Sequence, residues 1–335
     1  MIHYGLIGTN QATDDFVQAA NVTNKWELGA LYASDVDQAD QYAKKYGTNQ
    51  TFFDITDFFK NGNFDTVFIA SPNGDHFSHI KQAIQADKHV IVQPPALTNP
   101  TEFAEVEQLL IDHPRALFFE GAYPIHMPNF KNIEAAVGKM AMVQGATLVA
   151  MREQPEYDAI LEGAQPEGFT LASFGGALQQ KGVYAIYAAL KLFGRPNSAT
   201  YFATAVETGV DGTGVAFLQY DHFYVTLHFG FTTDSYMPTE VNGHHELIQV
   251  DDLTEMHLVQ HYDAQKKITP LMSADYTYHF TGELLAFTEV LEHPYTAENR
   301  KKYREWLQLA EDVNNVVYHL RQMVGIKFPT DMPQK

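Results

Sequence analysis

Through its first third the chain alternates short apolar runs with polar or amphipathic stretches of helix length, and this alternation restricts the fold more than any other feature. Each run is too short for a buried helix and is bounded by turn residues, the pattern of parallel strands wrapped by crossover helices. Strands are expected at about Ile2–Gly8, Glu27–Ala33, Asp65–Ala70, His89–Val92 and Ala116–Glu120. Helices are expected near Thr13–Asn21, Val36–Tyr46, Ser78–Asp87 and Pro100–Asp112. Gly47 follows Ala43-Lys44-Lys45-Tyr46, where a glycine and two cations suit the exposed carbonyls of a helix end. Residues 1–121 therefore read as an α/β domain with a doubly wound parallel sheet.

The alternation weakens after Glu120-Gly121-Ala122, so a second domain is expected over 122–335, in line with the length prior for 335 residues. A helix is expected at Met127–Val137, a strand at Met142–Met151, a loop rich in Glu, Pro and Gly over Glu153–Gly168, and a helix at Gly176–Phe193. Strands follow between Ala199 and Lys267, including Gly214–Tyr220 and Phe223–Phe231 joined at Asp221-His222 in a hairpin. Helices at Tyr278–Leu291 and Ala297–Met323 close the chain. This second part reads as an α/β domain with an open, mostly antiparallel sheet.

The formal charge of −19 repels nucleic-acid phosphates and anionic lipid surfaces, so neither nucleic acid nor membrane is an expected partner. No apolar run approaches the roughly 20 residues of a spanning helix, and no signal peptide follows Met1. The absence of cysteine removes disulfides and thiolate chemistry and fits a cytoplasmic location.

Chemistry is sought where the strands exit. The first strand runs into Gly8-Thr9-Asn10-Gln11-Ala12-Thr13 and then a helix. Gly8, Thr9, Asn10 and Gln11 could face a dinucleotide diphosphate at the helix N-terminus, although Asn10 and Thr13 stand where further small residues belong. A tight strand-to-helix turn without ligand is the alternative. At the end of the second strand, Ser34 and Asp35 could bind a ribose diol and repel a 2′-phosphate, or simply cap the next helix. That balance favours NAD as cofactor, with NADP not excluded. The next exits carry Ser71-Pro72-Asn73-Gly74-Asp75-His76 and Gln93-Pro94-Pro95, both at carboxyl ends of parallel strands.

The Pro72-Asn73-x-x-His76 exit, the His89-Val90 strand with its proline-containing turn, and Glu120 closing the next strand resemble the glucose-fructose oxidoreductase, inositol dehydrogenase and MocA family. Gly175-Gly176-Ala177-Leu178-Gln179-Gln180-Lys181-Gly182-Val183-Tyr184, followed by Leu192-Phe193-Gly194-Arg195-Pro196, is similar to that family's second signature. The resemblance implies an N-terminal Rossmann domain, a C-terminal α/β domain with substrate between them, and NAD(P)-dependent oxidation or reduction of a sugar, polyol or related compound. It further implies cofactor contacts from Ser71, Pro72, Asn73, His76, Gln93 and Pro94, a cleft lined by Glu120 and Tyr123, and a homo-oligomer, dimer or tetramer, formed through the open sheet. For His76 the preferred role is to anchor its loop by hydrogen bonds.

The departures are specific. The family's Glu-Lys-Pro turn is here Gln93-Pro94-Pro95, so a pyrrolidine stands in place of an ammonium. The family's aspartate is Gln180, the acid/base position is Tyr184, and Ile125 stands where the family often has arginine. Helical spacing would bring Gln180, Lys181 and Tyr184 to one face, where the Lys181 ammonium would lower the Tyr184 phenol pKa for general acid–base work. A packed aromatic ring and a solvated lysine are the alternative readings. The expected activity is hydride transfer with a reduced catalytic set, and the alternative is a non-catalytic dinucleotide or carbohydrate sensor. His244-His245-Glu246 with His257 and His261 could suggest a metal, but adjacent residues of a strand face opposite ways, so no metal site is expected.

Overall fold

The computed structural model describes residues 1–48, 50–273 and 277–331, and the chain divides into two compact units. The first holds Met1–Tyr123 and a later segment ending at Gln308; the second begins at Pro124 and resumes at Leu309. A single boundary near residue 122 would give that returning segment to the second unit. The end of the expected second domain, 332–335, lies outside the described residues.

The first unit is built from β1 (Ile2–Ile7), α1 (Gln11–Thr23), β2 (Trp26–Tyr32), α2 (Val36–Tyr46), β3 (Thr51–Phe52), α3 (Ile55–Asn61), β4 (Thr66–Ile69), α4 (Asn73–Gln85), β5 (His89–Val92), α5 (Pro100–Asp112) and β6 (Phe118–Glu120). Six parallel strands lie in the order β3-β2-β1-β4-β5-β6. Leu6, Ile7, Val67, Phe68, Ile69, Val90, Ile91 and Val92 are all buried, as continuous apolar runs must be when both faces of a sheet are covered. Strand β3 and helix α3 were not expected. A two-residue strand carries no periodicity, and α3 is held by Asp54, whose carboxylate accepts from Asp57 N at 2.8 Å. Helix α4 starts at Asn73 rather than Ser78, since Pro72 and the first-turn Asp75 suit a helix N-terminus despite Gly74.

The second unit contains α6 (Pro128–Val137), β7 (Val143–Met151), α7 (Glu156–Leu161), a π turn over Leu178–Gly182 that runs into α8 (Val183–Phe193), and strands β8 (Ser198–Ala205), β9 (Asp211–Gln219), β10 (Tyr224–Gly230), β11 (Thr239–Gly243), β12 (Leu247–Val250), β13 (Val259–Tyr262) and β14 (Ile268–Pro270). The sheet order is β14-β13-β12-β11-β7-β10-β9-β8, antiparallel except where β7 and β10 pair in parallel. Ala146, Leu148, Val225, Leu227, Phe229, Ala216 and Leu218 alternate inward beneath the apolar helix α8. Phe202, Phe217 and Tyr224 stand exposed on the opposite face, which leaves the sheet open on one side. Helix α7 falls inside the stretch expected as loop, because its acidic first turn, with Glu156 and Asp158, favours a helix start.

The returning segment supplies α9 (Thr281–Glu292) and the beginning of α10 (Ala297–Met323) to the first unit. Helix α9 packs beside α1; Trp26 Nε1 donates to Thr288 Oγ1 at 2.8 Å, and Lys25 pairs with Glu292. The end of α9 thus lies by the start of β2, and its own start lies by the carboxyl ends of the strands. There Glu283 is completely buried against Gly121, so close that a Cβ on Gly121 would lie 3.1 Å from Oε1. Neither carboxyl oxygen has a hydrogen-bond partner among the described residues, and burial raises the Glu283 pKa well above the usual carboxylate range. The folded protein therefore holds this proton at pH values where the unfolded chain has released it, and stability from this group falls as pH rises past the ordinary glutamate value. Glu283→Met should stabilise the fold by about 1–3 kcal/mol. The gain should be larger near pH 8 than near pH 5; denaturant titrations giving equal gains at both would show that the acid is not held neutral.

Candidate active site

In the first unit the candidate residues gather at the carboxyl edge of the parallel sheet, where doubly wound folds bind their ligands. Gly8 turns the chain with φ +118°, and a Cβ there would lie 2.5 Å from Ala70 O, so β1 and β4 leave the sheet in near contact. Asn10 fits this turn as the cap of α1: its Oδ1 accepts from Thr13 N at 3.1 Å and its Nδ2 donates to Ala70 O at 2.8 Å. Thr13 is turned into the unit and fully buried, while Asn10 folds back along the turn. The first amides of α1, at Gln11 and Ala12, have no acceptor within the helix. A close backbone approach and free amides at a helix start fit a dinucleotide diphosphate.

Ser34 and Asp35 are exposed at the end of β2, and Asp35 caps α2 through Oδ1, accepting from Gln38 N at 2.8 Å. Thr9 Oγ1 donates to Gln38 Oε1 at 2.7 Å, which ties the two loops together. The acids Asp35, Asp37 and Asp40 crowd the first turns of α2, whereas Lys44 and Lys45 stand at its far end.

His76 links the exits of β4 and β5. Its Nδ1 lies 2.9 Å from Pro95 O and its Nε2 2.8 Å from Ser71 O. Burial lowers its pKa to about 4, against the opposing pull of both carbonyls, so the ring is neutral at pH 7 and donates to one of them. Ser71 Oγ bonds His79 Nδ1 at 2.9 Å, and Asn73 opens α4. Gln93 N donates to Ile69 O at 3.0 Å, after which Pro94 and Pro95 are buried across a cis peptide bond. Glu120 Oε1 accepts from Ala96 N at 2.9 Å and so holds the turn beyond Pro95. Tyr123, half-buried, packs its ring against His279 and Phe280.

In the second unit Gln180 and Lys181 fall in the π turn and Tyr184 is the second residue of α8, so uniform α-helical spacing does not relate the three. Gln180 Nε2 donates to Gly168 O, which ties the preceding loop to the turn. The Lys181 pKa is lowered by burial and by the guanidinium of Arg152, while Asp252, Glu156 and Glu255 act in the opposite direction. Tyr184 is half-exposed, and Ile125 is buried.

Three further features were missed by sequence reading. Asp211, at the start of β9, accepts from Leu178 N at 2.7 Å, just before Gln180 and Lys181 in the chain. Arg152 pairs with Asp252 at 2.9 Å beside a cavity of about 510 Å³ that Asp234, Tyr236, Asp251 and Gln260 also line. Glu283 shows no motif because its significance lies in its burial. Asp211 belongs to no motif, and Arg152 and Asp252 beside the cavity are 100 residues apart in sequence. Among the described residues His261 pairs with Glu246 at 3.0 Å, and no group of three His, Cys, Asp or Glu residues is placed to hold a metal ion. No described helix is long and apolar enough to cross a membrane.

Residues 2–121 match the model of the GFO_IDH_MocA oxidoreductase family with an NAD-binding Rossmann fold. Over 334 residues the chain is 27% identical to scyllo-inositol 2-dehydrogenase (NADP(+)) IolU of Bacillus subtilis, covering 99% of both proteins. It is 27% identical to the uncharacterized oxidoreductase YgjR of Escherichia coli over 338 residues, again 99% of each. Among solved structures it is similar to the 3-ketoreductase KijD10 of Actinomadura kijaniata in complex with NADP and TDP-benzene. That match has a TM-score of 0.81 at 18% identity and covers 96% of this chain and 97% of the other. An Agrobacterium radiobacter oxidoreductase in complex with NAD+, L-tartaric acid and magnesium matches with a TM-score of 0.78 at 12% identity over 96% of each chain. With its six-stranded Rossmann unit and mostly antiparallel second sheet, the chain is similar from end to end to these oxidoreductases, and its residues 2–121 match the GFO_IDH_MocA family.

Proposed function

We propose that the protein transfers hydride between NAD and a hydroxyl or carbonyl carbon of a sugar- or polyol-like compound, with Tyr184 exchanging the proton. The observation that carries this reading is the turn from Gly8 to Asn10, which keeps its backbone against Ala70 and leaves the first amides of α1 free for a diphosphate. Thr9 and Gln11 flank that diphosphate. Ser34 and Asp35 take the ribose diol, while Ser71, Pro72, Asn73, His76, Gln93 and Pro94 shape the nicotinamide side. Glu120 and Tyr123 line the substrate cleft. The bound cofactor supplies the hydride chemistry. The chain's own task is to orient the reactants and to move one proton.

Tyr184 takes or gives that proton at its phenol oxygen, and the Lys181 ammonium favours the phenolate form. Gln180 carries an amide that exchanges no proton, and its bond to Gly168 makes it a brace for the turn. The substrate class is supported by relatives: one is a scyllo-inositol 2-dehydrogenase and another, from Mus musculus, a trans-1,2-dihydrobenzene-1,2-diol dehydrogenase. Both names describe a ring carbon bearing a hydroxyl beside a second hydroxyl. The exposed Phe202, Phe217 and Tyr224 on the open sheet support a homo-oligomer, since such aromatic faces are ordinarily covered. The lack of cysteine supports a cytoplasmic setting.

A second reading, the non-catalytic sensor, is favoured by Pro94 and Gln180, neither of which carries a charge or a titratable proton. NADH binding followed by fluorescence, then absorbance at the nicotinamide band against inositols, aldoses and cyclic vicinal diols, separates the two. Turnover supports the enzyme, binding without turnover supports the sensor, and no binding of either nucleotide rejects both.

In an active enzyme Tyr184→Phe should lower kcat by roughly a hundredfold or more with NADH affinity retained; full activity would remove Tyr184 from the chemistry. Asp35→Ser keeps a side chain that can cap α2 while deleting the charge. It should improve NADPH binding relative to NADH by on the order of tenfold, and an unchanged ratio in paired titrations would discard the assignment of NAD to this acid.

A further inference from the structure

The helical segment carrying Gln180, Lys181 and Tyr184 begins without help from its own sequence. Ala177, which precedes the π turn, and Gly182, which precedes α8, make no side-chain cap hydrogen bond. The acceptor for its first amide arrives from β9. Asp211 is 1% exposed, and its Oδ2 accepts from Leu178 N at 2.7 Å and from Tyr201 Oη at 2.5 Å. The nearby backbone amides of Ala177 and of Asp211 itself also favour the ionised carboxylate.

The fit is close on every side. Gly176 has φ +118°, and a Cβ on it would lie 2.2 Å from Asp211 Oδ1, so no other residue leaves room for the carboxylate. Tyr201 also stacks its ring on Phe229 of β10, with centroids 5.4 Å apart, which fixes the direction from which its hydroxyl reaches Asp211. The partial positive charge of amides at a helix start favours the ionised acid. Burial opposes this and raises the Asp211 pKa to about 6, so the carboxylate is charged at neutral pH.

The π turn gives this anchor its importance. A π turn spans one more residue per hydrogen-bonded ring than an α turn, so side chains that follow it are rotated relative to an unbroken α-helix. Where the turn begins therefore decides which way Lys181 and Tyr184 point. By taking the amide of Leu178, the first residue of the turn, Asp211 settles that starting point.

We propose that Asp211, braced by Tyr201, is a positioning residue that sets the register of the π turn and so aims Lys181 and Tyr184. The functional part of this inference rests on the reading of Tyr184 as the proton carrier; the positional part does not.

The full-length protein is labelled with 3-fluorotyrosine, and the Tyr184 fluorine resonance is identified by its loss in Tyr184→Phe. Asp211→Asn keeps the side-chain shape without the charge, and Tyr201→Phe removes only the bracing hydroxyl. In each variant the Tyr184 resonance and its titration midpoint should move, NADH affinity should stay at the wild-type value, and kcat should fall between about tenfold and a hundredfold. A folded Asp211→Asn or Tyr201→Phe protein with an unmoved Tyr184 resonance and midpoint would overturn the proposal. Should Asp211→Asn fail to fold, Tyr201→Phe alone decides it by the same criterion. Full activity of Tyr184→Phe would instead defeat the proton-carrier reading, and a displaced resonance would still uphold the placement of the turn by Asp211.

Discussion

The near contact between Gly8 and Ala70 is the constraint on which the carboxyl edge of the first unit's sheet depends. Two neighbouring parallel strands leave the sheet so close together that a single methyl group on Gly8 would force them apart. Asn10 then uses both ends of its amide, one toward the start of α1 and one toward Ala70, to lock the exit loops to each other. A side chain that looked in sequence like an obstruction to a glycine-rich turn is part of the turn's framework. The remaining exits are braced in the same manner, by His76 between Ser71 and Pro95 and by Glu120 on Ala96. The edge of the sheet is thus a set of loops held by one another, with polar side chains acting as struts.

The second unit uses the same device. Its helix start is secured by a carboxylate that belongs to a strand, and two glycines in succession make the approach possible. Gly175 lies so tightly against Gly168 that a Cβ would be 1.9 Å from the Gly168 oxygen, and Gly176 admits Asp211. The paired glycines that mark the family's second signature have a mechanical meaning here. They let a loop and a strand reach the beginning of the helical segment that carries Lys181 and Tyr184.

Much of this was legible in the chain. Helices α2 and α5 and strand β5 coincide with their expected limits because their caps and turns are local: Asp35 and Gly47 bound α2, and Asn99 and Pro100 open α5. Strand β3 escaped notice because two residues cannot show a period, and α4 began early because Gly74 disguises a first turn. The π turn was invisible for a deeper reason, since the amide at its first residue, Leu178, is satisfied by a residue 33 positions away in sequence. At the site, glycine turns and strand exits could be read directly. Asp211, Glu283 and the surroundings of Lys181 could not, because their significance comes from burial and from partners brought together by the fold.

The return of α9 to the first unit bears on how this protein is made. Phe280, Leu284, Phe287 and Val290 complete the core around Phe16, Phe68 and Phe119, and they follow the first sheet by more than 150 residues. During synthesis the Rossmann sheet leaves the ribosome with one aromatic flank bare, and it stays bare until the intervening part of the second unit, from Pro124 onward, has been translated. An interval of exposed Phe and Trp side chains is where a nascent chain engages chaperones, so the order of residues along this polypeptide builds a waiting period into its biogenesis.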